Sequence, residues 1–171
     1  MYAARRSKER GFTLVEILIV VIILGILAAI VIPQFTSAST DARQNSTKSL
    51  LQTIRSQVEL YKLQHSDNLP GDDTGSGTPT FAEFWDDLTL KTDLSGATDA
   101  DDPNLGPYLQ SKPVNPLNGK SDVSDEPGDD VGFVLTTDGK VFATGKDPTM
   151  YFDENSNADS ATVPGSAEVV D

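Results

Sequence analysis

The chain contains no cysteine and a single histidine, His65, among its 171 residues. Without cysteine there is no disulfide framework, no thiolate metal site and no cysteine nucleophile. One histidine supplies neither a histidine metal cluster nor a convincing serine triad, and the sequence lacks a phosphate-binding glycine loop. We therefore expect no catalytic residues and no enzymatic activity, and we interpret His65 as a packed or solvated residue.

Basic residues are also scarce, since 13 Lys and Arg stand against 26 Asp and Glu, which gives a net charge of −13. Four of the cations lie before Gly11, and from Thr36 onward 24 acidic residues face 9 basic ones. A surface this acidic repels nucleic acid and anionic lipid, so no nucleic-acid partner is expected. It suits divalent cations, or a surface that must stay soluble.

One long apolar run, Phe12 to Ile32, follows this basic leader. A helix of that length spans roughly 30 Å, the thickness of a bilayer core. The positive leader predicts a cytoplasmic N-terminus with the remainder translocated. A plain single-pass anchor would not need Glu16, because a carboxylate at membrane depth costs a few kcal/mol and is usually functional.

The segment RGFTLVEILIVVIILGILAAIVIP, Arg10 to Pro33, resembles the N-terminal signature of type IV pilins and type II secretion pseudopilins. The resemblance implies that a prepilin peptidase and methyltransferase cuts between Gly11 and Phe12 and methylates the new amine of Phe12. It also implies an assembly role for Glu16, Gly25 and Pro33.

Glu16 of one subunit can then meet the Phe12 amine of a neighbouring subunit. Two opposite charges about 4 Å apart, at an effective dielectric constant near 20, attract by roughly 4 kcal/mol. Gly25 and Pro33 have two interpretations that the sequence leaves open. They either kink a membrane helix mildly or, as the resemblance suggests, let the stretch between them partly unwind in an assembled filament.

Beyond Pro33, apolar residues recur at three- and four-residue spacing, which is the pattern of one helical face. They are Leu50, Leu51, Ile54, Val58 and Tyr61. The sequence therefore predicts one helix from about Thr13 to about Ser66, ended by the turn residues at 68–71. QVELYKLQHSDNLPG, residues 57–71, resembles the end of the long helix in major, G-type pseudopilins.

The remaining chain predicts a small folded head. Thr80 to Glu83 has the pattern of a capping box before a short helix, in which Trp85 is read as a core residue rather than a recognition anchor. Residues 131–144 predict a hairpin with a two-residue Asp138-Gly139 turn. That pairing places three residues on the face toward the long helix, Phe133, Leu135 and Phe142, and three on the other face, Val134, Val141 and Ala143.

The predicted fold class is α+β and pilin-like, with a long N-terminal helix packed against a small antiparallel sheet. The expected segments are a leader at 1–11, a hydrophobic helix at 12–35, its amphipathic continuation at 36–70, a loop region with a short helix at 71–130, and a β-hairpin with an acidic C-terminal loop at 131–171.

Calcium is the one cofactor that the resemblance implies, because many major pseudopilins bind one calcium ion in a C-terminal loop. Residues 153–159 alternate oxygen ligands, but Ala158 and Pro164 occupy positions where an EF-hand requires glycine and glutamate, so an EF-hand is disfavoured. The candidate ligands are Asp122, Asp125, Asp129, Asp130, Asp147, Asp153, Asn155, Asn157 and Asp159. The alternative is a solvated acidic loop.

The expected function is that of a structural subunit of a type II secretion pseudopilus, which polymerises through its N-terminal helix and drives protein export across the outer membrane. By resemblance its partners are further copies of itself, other pseudopilins, the prepilin peptidase, an inner-membrane assembly platform and the inner membrane. It would sit in the inner membrane before assembly and in a periplasmic or surface filament afterwards. The alternatives are a type IV pilin, for adhesion, motility or DNA uptake, and a non-polymerising membrane-anchored binding domain.

Overall fold

A computed structural model describes residues 11–72, 79–98, 101–136 and 138–162. Its elements in chain order are α1 (Leu14–Gln64), α2 (Phe84–Thr89), β1 (Asp122–Ser124), β2 (Val131–Leu135), β3 (Val141–Ala143), β4 (Tyr151–Asp153) and β5 (Ala158–Ser160). The chain divides into two compact units, Met1–Asp41 and Ala42–Asp171, and α1 contributes residues to both.

Helix α1 begins and ends within two residues of the predicted limits, and Pro33 lies inside it without ending it. At the C-terminal end of α1, Asp67 N donates to Lys62 O at 2.8 Å. Ser66 and Asp67 adopt positive φ angles of 58° and 72° there. This left-handed backbone reverses the chain and satisfies carbonyl groups of the last helical turn, which explains the stop.

The core of the second unit forms along the predicted apolar face of α1. Leu51, Ile54, Val58 and Tyr61 are each at most 1% exposed, and Leu50 packs at the edge of the same cluster. Burying a side chain of this size contributes about 1.5–3 kcal/mol. The amphipathic pattern therefore located the core correctly.

Helix α2 is the second helix that contributes side chains to this core. Trp85 is 3% exposed, its indole N–H donates to Ser121 O at 2.6 Å, and its ring meets Phe133 edge-on at 5.4 Å, so the core interpretation of Trp85 is confirmed. The prediction of a capping box at residues 80–83 is wrong. Glu83 directly precedes α2, which begins at Phe84, and no side-chain hydrogen bond caps the helix.

The strands form two small sheets. In the first, of order β1-β2-β3, β2 and β3 are antiparallel and β1 pairs with β2 in parallel. In the second, β4 and β5 are antiparallel, and Thr144 bridges to Tyr151 between the two sheets. The long helix with a small, mainly antiparallel sheet confirms the α+β, pilin-like class. The parallel edge strand β1 was not predicted, since three residues carry little periodicity.

The turn between β2 and β3 is one residue longer than predicted. Thr136 N donates to Lys140 O, and Gly139 N donates to Thr136 O, both at 2.9 Å. Three residues rather than two therefore separate the paired positions. Gly139 adopts φ +82°, a conformation that glycine adopts readily.

This shift exchanges the faces of β3, because side chains alternate along a strand. Phe133 pairs with Ala143 and Leu135 with Val141, and all four join the core that contains α1. Phe142 instead lies in a second cluster with Val134 and Tyr151. The predicted faces of Phe142, Val141 and Ala143 were therefore wrong, and those of the β2 residues were right.

Candidate functional site

The N-terminal part of α1 is apolar on all sides and exposed. The large hydrophobic side chains between Phe12 and Ile32 are 40–82% exposed. Within the described chain, one helix, Leu14–Gln64, is long and apolar enough to cross a membrane by length and composition, and its most apolar window has no buried residue. A surface of this size requires lipid or protein to cover it.

Glu16 lies in the first turn of this helix and is held by Thr13. The Thr13 backbone N–H and hydroxyl both donate to Glu16 Oε2, at 2.8 and 2.7 Å, and the Glu16 N–H donates back to Thr13 Oγ1 at 3.2 Å. This reciprocal arrangement is a capping box. The Thr-x-x-Glu spacing at 13–16 was readable in the sequence, but the sequence analysis missed it.

The predicted cleavage point lies directly before this box. Gly11 and Phe12 precede α1 and are exposed, and a Cβ atom at Gly11 would meet nothing within 4 Å. Residues 1–10 of the leader lie outside the described residues. Processing between Gly11 and Phe12 stays a prediction, because the fold of the chain does not test it.

Gly25 and Pro33 both lie within continuous helix. No atom comes within 4 Å of a Cβ built at Gly25. Just after Pro33, the hydroxyls of Thr36, Ser37 and Thr40 donate to carbonyl oxygens four residues earlier, at 3.1–3.3 Å. Such back-bonding weakens and bends helices slightly. Unwinding between Gly25 and Pro33 stays a prediction for the assembled state.

The first group of calcium candidates lies on and around the connection from β1 to β2. Asp122 and Asp130 form ion pairs with Lys112 and Lys120, each at 2.7 Å. The hydrogen bond and charge of Lys120 lower the pKa of Asp130. Asp125 and Asp129 are exposed.

The second group lies along β4, β5 and the preceding loop. Asp147 accepts the N–H and hydroxyl of Thr149, which lower its pKa. Asp153 accepts from Asn155 N and Ser156 Oγ, and Asp159 accepts from the N–H groups of residues 146 and 147. Asn155 and Asn157 lie in the exposed turn between the two strands.

The two groups together do not make a cluster of acids. Among the described residues, no three His, Cys, Asp or Glu side chains lie close enough to hold a metal ion. A calcium site on these residues would therefore need main-chain, amide or hydroxyl oxygens for most of its six to eight ligands. Calcium binding stays a prediction.

His65 is fully buried and both of its ring nitrogens have partners. Nδ1 lies 2.8 Å from Tyr61 O and Nε2 lies 2.9 Å from Thr92 Oγ1, and the ring stacks on Tyr61 at 3.7 Å. A carbonyl only accepts, so Nδ1 donates to Tyr61 O, and Nε2 shares a hydrogen bond with the Thr92 hydroxyl. This confirms the packed alternative for His65.

A buried acid that the sequence analysis missed contacts the same tyrosine. Asp87, on α2, is 1% exposed, and its Oδ2 accepts from Gly71 N at 2.6 Å and from Tyr61 Oη at 3.2 Å. A buried carboxylate needs such donors to offset its desolvation. Asp87 thus fastens the chain after α1 to α2. Its signal was weak, because Asp86-Asp87 reads as a solvated first turn.

Comparisons with known proteins match parts of the chain. The prokaryotic N-terminal methylation motif matches residues 6–32. The type II secretion system core protein G of Pseudomonas aeruginosa is 43% identical over 61 residues, which cover 36% of this chain and 43% of that protein. Core protein G of Klebsiella michiganensis is 39% identical over 62 residues, 36% of this chain and 44% of that protein.

A pilus protein is similar as well. The fimbrial protein of Neisseria meningitidis serogroup B is 36% identical over 76 residues, which cover 44% of each chain. The chain thus spans less than half the length of the curated relatives that it matches. No solved structure matches it.

The motif and the apolar helix fit anchoring in the inner membrane. The expected resemblance to type IV pilin-like major pseudopilins is therefore confirmed, by a motif at residues 6–32 and by relatives that match 36% of the chain.

Proposed function

We propose that the protein is a structural subunit of a type II secretion pseudopilus. It polymerises through the N-terminal part of α1 and takes part in export across the outer membrane. The observation that carries this proposal is the exposed, otherwise apolar helix surface of residues 12–32, which contains one carboxylate, Glu16, in its first turn. The similarity to core protein G supports the same role.

The chain first inserts as a single-pass inner-membrane protein with its basic leader in the cytoplasm. A prepilin peptidase then cuts between Gly11 and Phe12 and methylates the Phe12 amine. Both residues are exposed and precede the helix, so a peptidase can reach them without unfolding α1. The match to the methylation motif supports this step. An assembly platform and other pseudopilins then act on the mature protein.

Assembly changes the partner of Glu16. In the single chain Thr13 supplies its hydrogen bonds, which lower the cost of keeping a carboxylate at the membrane. In a filament the Phe12 amine of a neighbouring subunit adds an opposite charge, worth roughly 4 kcal/mol at 4 Å and an effective dielectric constant near 20. The pair therefore favours one stagger between subunits as well as association.

The second candidate is a type IV pilin, which the similarity to the meningococcal fimbrial protein favours. Both candidates use the same helix and the same Glu16, so assembly alone does not separate them. The length of the filaments does, since short periplasmic filaments indicate secretion and long surface filaments indicate a pilus.

The test of the proposal is electron microscopy of cells that express the wild-type chain, Glu16→Ala or Asp41→Ala. Asp41 is an exposed acid on the same helix and serves as the control for loss of charge. We expect filaments from wild type and Asp41→Ala, and none from Glu16→Ala, although the latter still inserts and is processed. If Glu16→Ala formed filaments normally, or the wild type formed none, the role in assembly would be rejected in favour of a simple anchored domain.

A further inference from the structure

The turn between β4 and β5, residues 154–157, is fastened to one side of α1 by two side chains. Arg55 Nη2 forms an ion pair with Glu154 Oε1 at 2.6 Å, and Gln44 Nε2 donates to Asn157 O at 2.8 Å. Both partners on α1 lie within the second compact unit. We call residues 151–160 the C-terminal hairpin.

Arg55, on α1, contacts both β3 and the turn between β4 and β5. Besides Glu154, its Nε donates to Val141 O of β3 at 2.8 Å, and its guanidinium lies 5.3 Å above the ring of Phe142. The Arg55 and Glu154 side chains are 33% and 22% exposed. Solvent screening therefore weakens the interactions of this partly buried arginine less than it weakens an exposed ion pair.

The acids of this region are engaged by protein donors. Asp153 accepts Asn155 N at 2.9 Å and Ser156 Oγ at 2.7 Å, one on each carboxylate oxygen. Asp159 accepts the N–H groups of Lys146 and Asp147, at 3.0 and 2.7 Å, also one on each oxygen. Hydrogen bonds from Ser156 and Asn155 lower the pKa of Asp153, and the charge of Lys48 adds to this.

These contacts do not fit a calcium cage. Calcium takes six to eight oxygen ligands, and carboxylates supply most of the charge. Here both oxygens of Asp153 and of Asp159 accept hydrogen bonds from N–H or O–H groups. Gly145 also packs closely against Asp159, since a Cβ atom at residue 145 would clash with Asp159 Oδ1.

We propose that Arg55, Gln44 and the main-chain N–H groups of residues 146 and 147 hold the C-terminal hairpin in place of the metal ion that the family resemblance implies. Arg55 is the positioning residue of this arrangement. The inference does not depend on the proposed function, since it concerns the folding of the second unit alone.

The first experiment measures thermal unfolding of the full chain in detergent micelles, in millimolar calcium and in excess chelator, by tryptophan fluorescence. Trp85 reports on the core directly. We expect equal melting temperatures in the two conditions. A melting temperature that falls in chelator, and is restored by calcium but not by magnesium, would overturn the proposal and establish a calcium site.

The second experiment tests Arg55 with matched variants. Arg55→Met and Glu154→Gln should each lower the melting temperature by roughly 2–4 °C and increase hydrogen exchange at residues 151–160. Lys112→Met is the control, because Lys112 forms a 2.7 Å ion pair with Asp122 that does not involve the hairpin. High salt should increase exchange in the wild type more than in Glu154→Gln.

Glu154→Gln keeps the test decisive if Arg55→Met does not fold, since Glu154 lies in a turn and glutamine has nearly the same size. The double variant Arg55→Glu with Glu154→Arg should recover part of the loss seen with Arg55→Glu. Unchanged hydrogen exchange of the hairpin in Glu154→Gln would contradict the proposal, as would a hairpin equally affected by Lys112→Met.

Discussion

Thr13 and Glu16 form a reciprocal pair at the start of α1, in which the threonine donates twice to the carboxylate at 2.7–2.8 Å and accepts the glutamate N–H at 3.2 Å. Replacing such a cap typically costs about 1 kcal/mol of helix stability. We expect Thr13→Val to fray the first turn, and hydrogen exchange at Glu16 and Ile17 in micelles to rise by roughly fivefold. Thr40→Val, which removes only a back-bond to Thr36, is the control and should leave the first turn unchanged.

Gly11→Leu should leave an unprocessed precursor. A Cβ at residue 11 meets nothing within 4 Å, so the substitution does not disturb the fold, and its effect falls on the peptidase. Intact-mass spectrometry of membrane protein should show a chain that keeps residues 1–11 for the variant and a mature chain that starts at Phe12 for the wild type. Gly25→Ala, which is equally unhindered, should be processed normally. A wild-type chain starting elsewhere would refute the assigned cleavage point.

Ile54→Ala should destabilise the second unit by about 2–5 kcal/mol, because it removes a fully buried side chain from the core and leaves a cavity. Leu63→Ala lies on the same helix but removes a side chain that is 82% exposed, and should change stability by less than about 0.5 kcal/mol. Urea unfolding followed through Trp85 fluorescence measures both. Equal effects would show that this face of α1 is not the core face.

The lowered pKa of the Asp138 carboxyl group predicts a small loss of folding stability in acid. Lys140 and Thr136 hydrogen-bond its carboxylate and lower its pKa from 3.8 to about 2. A carboxyl group whose pKa is lower in the folded state stabilises the fold above the unfolded pKa, and this contribution disappears as the pH falls from about 4 to about 2. Its side chain is 56% exposed, so the contribution is at most about 1 kcal/mol. In urea unfolding at a series of pH values, the stability of Asp138→Asn should fall less steeply than that of the wild type over this pH range.

The course of α1 was predictable because its signals are local. The apolar run, the spacing of Leu51, Ile54 and Val58, and the turn residues after Ser66 are properties of neighbouring residues on one helix. The Thr13–Glu16 box belongs to the same class and could have been predicted from its spacing. The α+β class followed from the one strong hairpin signal at residues 131–144.

The sequence by itself determined the apolar N-terminal helix, its single acid and the folded unit that follows. The tertiary structure alone decided which face Phe142 occupies, since Thr136 and Lys140 pair across three residues and a shift of one position reverses every side chain. It also decided that Asp87 is buried and that Arg55 meets Glu154, 99 residues further along the chain. Contacts between residues so distant in sequence depend on how the core packs, and no local pattern encodes them.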